Sequence, residues 1–377
     1  RMGRSGRRGG AAVLRALIAE PELTVRSDLG DKLRLELVQT LAILRLLIAS
    51  RWFEPADTRL YHFSTLFHQV LAVIAQWGGI RADQLYELLC RTGPFNKVST
   101  SQFMQLLKNM GSGEFLTQIS SGELVLGVEG EKMVNHYSFY AVFKTPEEFR
   151  LVSGSKTLGT VPVDYPLMTG QHIIFGGRYW LVDDIDGDKK LIRVSPSKGG
   201  VPPQFGGEGM GVQKKVRQEM LTMYLEQDYR IPVGDRKIDY IDPVARSLFD
   251  EGVANFVAFN LRQSPFVDQG SGVAIVSWES DQVVNTLRAL LHLSDLKATA
   301  FAGIISVENS NLGAVSEVFR RILDLGIPCE EELAALVPEK EFNKFDPFLP
   351  CGLLDIDYGL KMFDSEATMI WLSRQVQ

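Results

Sequence analysis

Three arginines recur at every third position from the start of the chain, Arg1, Arg4 and Arg7, with Gly3 and Gly6 between them. A guanidinium is planar, permanently charged and able to grip phosphate oxygens in bidentate pairs. Glycine lets the backbone turn close to a ligand. The pattern fits a segment that meets the phosphates of a nucleotide. Ten residues alone fit a basic tail better.

The elements that must hold further candidates can be read from pattern. Leu33–Ser50 is apolar on more than one side and predicts a buried helix. Between residues 61 and 135 the pattern is clearest. Ser64 could cap a helix running to Trp77, stopped by Gly78-Gly79. Ala82–Cys90 predicts a second helix, and Ser99 or Thr100 could cap a third over Ser101–Met110. Ser120-Ser121-Gly122 has the composition of a hairpin turn between two short strands. Three helices and a hairpin predict a winged helix. Lys108 on the third helix and Lys97 before it are its basic candidates, too few for major-groove readout, so a mainly structural role is favoured.

Asn135–Arg150 carries Tyr137, Phe139, Tyr140, Phe143 and Phe149. Such a run could stack on bases, but most of it is expected in a core. Short alternating runs over 149–195, with Asp186-Gly187 as a hairpin signal, predict a small β-barrel. Trp180 lies mid-strand, with burial as its default and base stacking as the outsider. Residues 196–211 hold six glycines and three prolines, a long loop offering Lys198 and Gln204 to a phosphate backbone. Val212–Tyr229 predicts a helix with Lys214, Lys215 and Arg217 in its first two turns. Cations there oppose the helix macrodipole, and a DNA phosphate would offset them; a solvated face explains them equally well. Pro243–Asn260 predicts another helix. Gly272–Trp278, Asp281–Leu293, Ala302–Val307 and Leu312–Leu325 then alternate strand, helix, strand, helix, an α/β unit.

Composition bounds the class. Hydrophobic residues make up 45% and charged residues 23%, ordinary for a globular protein, and the net charge of −6 argues against a wholly basic nucleic-acid coat. Charge is uneven: residues 1–52 carry ten Lys/Arg against five Asp/Glu, and residues 327–377 four against ten. Any phosphate-facing surface is therefore local. Three cysteines, Cys90, Cys329 and Cys351, read as buried or free thiols of a cytoplasmic protein, not a disulfide framework or a zinc knuckle. No apolar run approaches the ~18 residues of a membrane span.

The opening run resembles the last motif of superfamily 2 helicases, Q-R-x-G-R-x-G-R without its leading Gln. Further blocks resemble the large helicase-related (Lhr-like) family of ATP-dependent DNA helicases: Ser64–Cys90, Asn135–Glu148, Leu158–Val163, Gly170–Val182, Tyr240–Phe256, Ser277–Leu287 and Lys344–Leu354. They occur in family order across nearly the whole chain. The resemblance implies an α+β multidomain chain: the end of a second RecA-like lobe (1–55), with Ala11–Glu20 as its last strand, a winged helix (56–135), a β-barrel-like part (136–211) and an α/β helical part (212–377) of a DEAD/H-associated tail domain. It implies 3′-to-5′ translocation on single-stranded DNA and duplex unwinding, with an RNA–DNA hybrid as another substrate, a role in DNA repair, and no membrane partner. Arg4 and Arg7 would be arginine fingers on the γ-phosphate, and Arg1 a nucleotide-interface contact. The family sets an aromatic side chain against unpaired bases, for which Trp180 and Trp278 are candidates. The 377 residues contain no G-x-x-x-x-G-K-[ST] phosphate loop and no Asp-Glu-x-His box. ATP and Mg2+ are therefore expected mainly on a first lobe outside them, and the chain alone is expected to be inactive.

A non-catalytic nucleic-acid-binding or adaptor module with the same architecture is the alternative. A self-contained hydrolase is disfavoured. The five histidines, His62, His68, His136, His172 and His292, lack metal-ligand spacing, and no G-x-S-x-G elbow is present.

Overall fold

The computed structural model describes residues 13, 15–25, 27–144, 147–154, 156–163, 169–170, 172–175, 178–187, 189–197 and 211–375. In chain order they form α1 (Leu29–Leu33), α2 (Leu35–Ser50), α3 (Phe63–Trp77), β1 (Ile80–Arg81), α4 (Ala82–Tyr86), α5 (Thr100–Ser112), β2 (Leu116–Gln118), β3 (Glu123–Leu126) and α6 (Val128–Asn135). Next come β4 (Glu147–Ser153), β5 (Lys156–Val163), β6 (His172–Phe175), β7 (Arg178–Asp186), β8 (Leu191–Pro196), α7 (Lys214–Glu226), β9 (Ile231–Val233), β10 (Arg236–Ile238) and α8 (Pro243–Ala258). The chain continues through β11 (Phe266–Asp268), β12 (Gly272–Val276), α9 (Asp281–Leu293), β13 (Ala298–Phe301), β14 (Ile304–Glu308), α10 (Leu312–Leu325), α11 (Glu330–Ala335), α12 (Cys351–Met362) and α13 (Ser365–Gln375). It is a mixed α+β protein with several small sheets. No helix among the described residues is long and apolar enough to cross a membrane.

The chain divides into two compact units. One takes the described residues within Arg1–Thr58, Gly211–Leu333 and Gly359–Gln377; the other takes Arg59–Met210 and Ala334–Tyr358.

In the first unit, the single helix expected over Leu33–Ser50 is broken. Arg34 adopts a left-handed conformation (φ 56°) and separates α1 from α2. α2 then packs with α7, α8 and the β12 strand around Leu41, Met220, Tyr224, Phe249 and Phe256. The described residues of Ala11–Glu20 form no strand, because they have no ladder partner among the described residues. The expected α/β unit is instead an antiparallel sheet of order β11-β12-β14-β13. β12 and β13 both run antiparallel to β14, so α9 crosses between two parallel strands held apart by a third. The five residues of β12 are all buried, as a strand covered on both faces requires. α9, α10 and α13 cover one side through Leu287, Phe319 and Trp371.

In the second unit, α3, α4 and α5 surround Phe67, Leu71 and Phe103, and β1, β3 and β2 form a three-stranded antiparallel sheet beside them. Ser99 and Gln102 make a capping box at α5. α4 runs on as a π-helical turn, Glu87–Arg91. Ser64 does not cap α3: its hydroxyl accepts from the Phe345 amide, and His62 is the cap residue. The segment 334–358 returns here and lays Phe345 and Phe348 on Phe67.

The expected barrel does not close. The five strands run β5-β4-β8-β7-β6, with β4 and β8 parallel at the centre. The sheet curls until the Phe175 ring of β6 covers Gly159 of β5, where an added Cβ would stand 2.6 Å from it. No ladder joins these two edges among the described residues. β5 carries Pro162, which has no amide to donate and belongs on an edge.

One carboxylate holds the start of α3. Asp357 accepts the amides of Tyr61, His62 and Phe63 at 3.0, 3.2 and 2.7 Å. Burial raises its pKa against the opposing pull of those amides. Asp357→Ala orphans these donors and should cost about 2–3 kcal/mol in denaturant unfolding. Because the folded pKa is raised, the contribution of this group is full below the unfolded value and declines as pH climbs through the folded one. The gap between wild type and D357A should therefore narrow from acid toward neutral pH; a constant gap contradicts the assignment.

Candidate nucleic-acid interface

α7 begins against its own dipole. Its first turn holds no acid, and Gln213 makes no side-chain cap bond. The anions that offset Lys214 and Arg217 belong to the chain itself. Lys214 Nζ lies 2.8 Å from Glu279 Oε2, and Arg217 Nη2 donates to Asp281 Oδ1 at 3.1 Å. Asp281 Oδ2 also accepts the Val212 amide at 2.7 Å, and the Asp281 amide returns a bond to the Val212 carbonyl. The Ser277–Asp281 loop and the entry to α7 are thus locked in both directions, within the first unit.

Arg217 is buried, and its Nη1 donates to the Ala302 carbonyl at 2.7 Å. Ala302 and Gly303 form the β13–β14 turn with φ of 49° and 84°, the two positive values of a type I′ hairpin. The guanidinium lies flat against Gly303, where a Cβ would meet Arg217 Cζ at 2.6 Å. Only glycine fits there.

Trp278 sits in the middle of the loop in a left-handed conformation (φ 55°), a strain of roughly 1–3 kcal/mol for a bulky residue. Its ring is buried against Tyr224 and Phe256. Three buried polar atoms of this cluster lack a hydrogen-bond partner: Arg217 Nε, Trp278 Nε1 and Glu279 Oε2. The Lys214–Glu279 contact is accordingly an ion pair without the alignment of a hydrogen bond. Arg217 Nε and Trp278 Nε1 are thus buried donors without an acceptor among the described residues. Lys215 alone of the three cations is exposed and carries no ion pair among the described residues.

The other candidates do not gather. Lys97 and Lys108 are exposed on the second unit, before and on α5. The same unit holds a groove of about 1390 Å³ lined by Trp77, Tyr86, Leu88 and Met104, at which Arg81 pairs with Asp83 and Arg91 with Glu87; neither lysine lines it. Trp180 is buried in the curled sheet, its indole donating to the Phe175 carbonyl at 3.1 Å. Arg1, Arg4, Arg7, Lys198 and Gln204 lie outside the described residues.

The aromatic run corrects an expectation. Phe139 and Phe149 are buried, but Tyr137, Tyr140 and Phe143 are 82%, 91% and 83% exposed. Pattern reading also passed over Glu279 and Asp281. Their signal was available in Trp-Glu-Ser-Asp ahead of an apolar helix, where Ser280 is the cap and acids stand beside it.

Among the described residues no group of three His, Cys, Asp or Glu side chains converges as a metal site. No protein-family model, no curated protein and no solved structure matches the chain.

The locked loop makes a direct comparison possible. Arg217→Met removes the buried partner of the half-buried Asp281 and orphans the Ala302 carbonyl, and should cost about 1–3 kcal/mol of folding stability. Lys215→Met should stay within about 0.5 kcal/mol of wild type. Equal losses in urea titrations would refute the division between a structural and a free cation.

Proposed function

We propose that this chain is the downstream portion of an ATP-dependent DNA helicase of the Lhr-like kind, supplying arginine fingers and the accessory domains along which an unpaired strand runs. The observation that carries the reading is the order within the second unit. α3, β1, α4, α5, β2 and β3 follow one another as in a winged helix, and the curled five-stranded sheet comes next. That order agrees with what the sequence blocks imply. In this reading ATP and Mg2+ sit on the first RecA-like lobe. On the first unit this reading draws on the exposed Lys215, and separately on the second unit on Lys108.

The adaptor reading draws on the groove beside α5. Trp77, Leu88 and Met104 are exposed in it, and its charges are paired, a surface better suited to protein than to phosphate. Nucleotide turnover separates the two. In the intact protein, Arg4→Ala should lower ATP hydrolysis by roughly 10³–10⁵-fold while DNA affinity stays close to wild type. An unchanged rate removes the finger role and leaves the adaptor.

Strand binding has its own signature. The chain should bind single-stranded DNA with an affinity that falls steeply with salt, and Lys215→Gln should reduce the log–log slope by about 0.7, one phosphate contact. Titration across salt concentrations checks this; no binding at low salt defeats the strand-handling reading.

A further inference from the structure

The three bare aromatic rings between α6 and β4 are held as if for use. They recur every third residue, and Tyr137–Tyr140 is a 3-10 turn, whose period of three sets Tyr137 and Tyr140 on one edge. The turn is pinned from beneath. Phe139 is buried, and its carbonyl accepts from His68 Nε2 at 2.9 Å. Lys344 Nζ donates to the Ser138 carbonyl and, at 2.7 Å, to that of Ala141. The backbone is fixed while the ring tips stand in solvent. Exposed aromatic surface carried on and just after a fixed turn marks an interaction site.

Tyr140 overhangs a pocket of about 390 Å³, walled by Ala72, Ala75 and Gln76 of α3, Val134, His68 and Phe139. The two alanines leave room for a planar ring beside Tyr140. Gln76 presents an amide, donor and acceptor together, to the edge of such a ring. The volume is near the lower end of ligand pockets and suits one flat group. Lys144, one residue beyond Phe143, is exposed and makes no ion pair among the described residues; His136 is exposed at the other end. The acids nearest along the chain with described side chains are Glu131 and Glu148, outside the aromatic run on either side.

We propose that Tyr137, Tyr140 and Phe143 form a stacking platform for the bases of a single nucleic-acid strand, with one base seated in the Tyr140 pocket against Gln76 and a backbone phosphate on Lys144. This rests on the strand-handling reading above and assigns it residues that neither buried tryptophan can replace. A single small pocket with the Gln76 amide in its lining fits a base better than the run of side chains that a partner protein would offer.

The test compares two labelled strands on the whole chain by fluorescence anisotropy: a deoxythymidine oligomer of about twenty residues and an abasic strand of equal length. Wild type should prefer the first by roughly 5- to 150-fold, the range of one stacked base. Tyr140→Ala combined with Phe143→Ala should abolish that preference and leave the salt slope unchanged, because no charge is lost. Tyr140→Phe, which keeps the ring, should retain it. Both sites are more than four-fifths exposed, so the variants should melt with wild type. Equal affinity of wild type for the two strands, as for a protein-docking face, overturns the platform. So does a preference that survives in the double variant, while strand handling stands. A wild type that binds neither strand defeats the platform and the strand-handling reading together.

Discussion

One left-handed residue organises the first unit. Arg34 ends α1 and starts α2, and its buried guanidinium must be answered from every side. Glu251 takes it at 2.7 Å, Glu20 at 3.5 Å, and the Pro21 carbonyl accepts a further bond. The carbonyls freed at the break find partners as well: Asn255 donates to Lys32, and the buried Tyr224 hydroxyl to Leu33. Gly252 allows α8 to approach, since a Cβ there would meet the Leu33 carbonyl at 2.7 Å. Burial raises the pKa of Glu20 against the pull of the Leu37 amide and of Arg34. Buried charge is tolerated only with this much compensation.

The same rule governs the entry to α7. Its cations bring a helix dipole and their own charge to one place, and the carboxylates of the Ser277–Asp281 loop neutralise both. The loop reaches them by forcing Trp278 into a left-handed conformation, and the adjoining turn needs Gly303 to admit Arg217. Strain, buried ion pairs and open polar atoms coincide here because each is the consequence of bringing α7, α9 and a tight hairpin together. Two of the three cations are thereby committed to holding the fold, and Lys215 stays exposed without an ion pair among the described residues.

The second unit treats its aromatics in two ways. Phe67, Phe345 and Phe348 stack inside it, and the segment 334–358 is drawn back by that contact. Tyr137, Tyr140 and Phe143 stand outside, on a turn that His68 and Lys344 fix from below. Burial lowers the pKa of both supporting groups, and at His68 the Phe139 carbonyl pulls the other way.

Local chemistry was legible wherever a residue acts on its own neighbours. The Ser99–Gln102 capping box, Pro243 behind its Asp242 cap and the turn after Asp186 follow from side chains reaching a few atoms along the chain. Periodicity likewise marked α3, α5, α9 and α10, because a helix shows its buried face every third or fourth residue. What no local pattern carries is the identity of distant partners. That Arg34 breaks a helix depends on Glu20 and Glu251. That the five strands curl without closing depends on which edges meet. That five aromatic residues in one run split into two buried and three bare depends on what packs beneath them. Sequence pattern marked several helices and the placement of charge; the tertiary structure decided which cations are spent inside and which rings remain free, since burial is a property of neighbours far away in the chain.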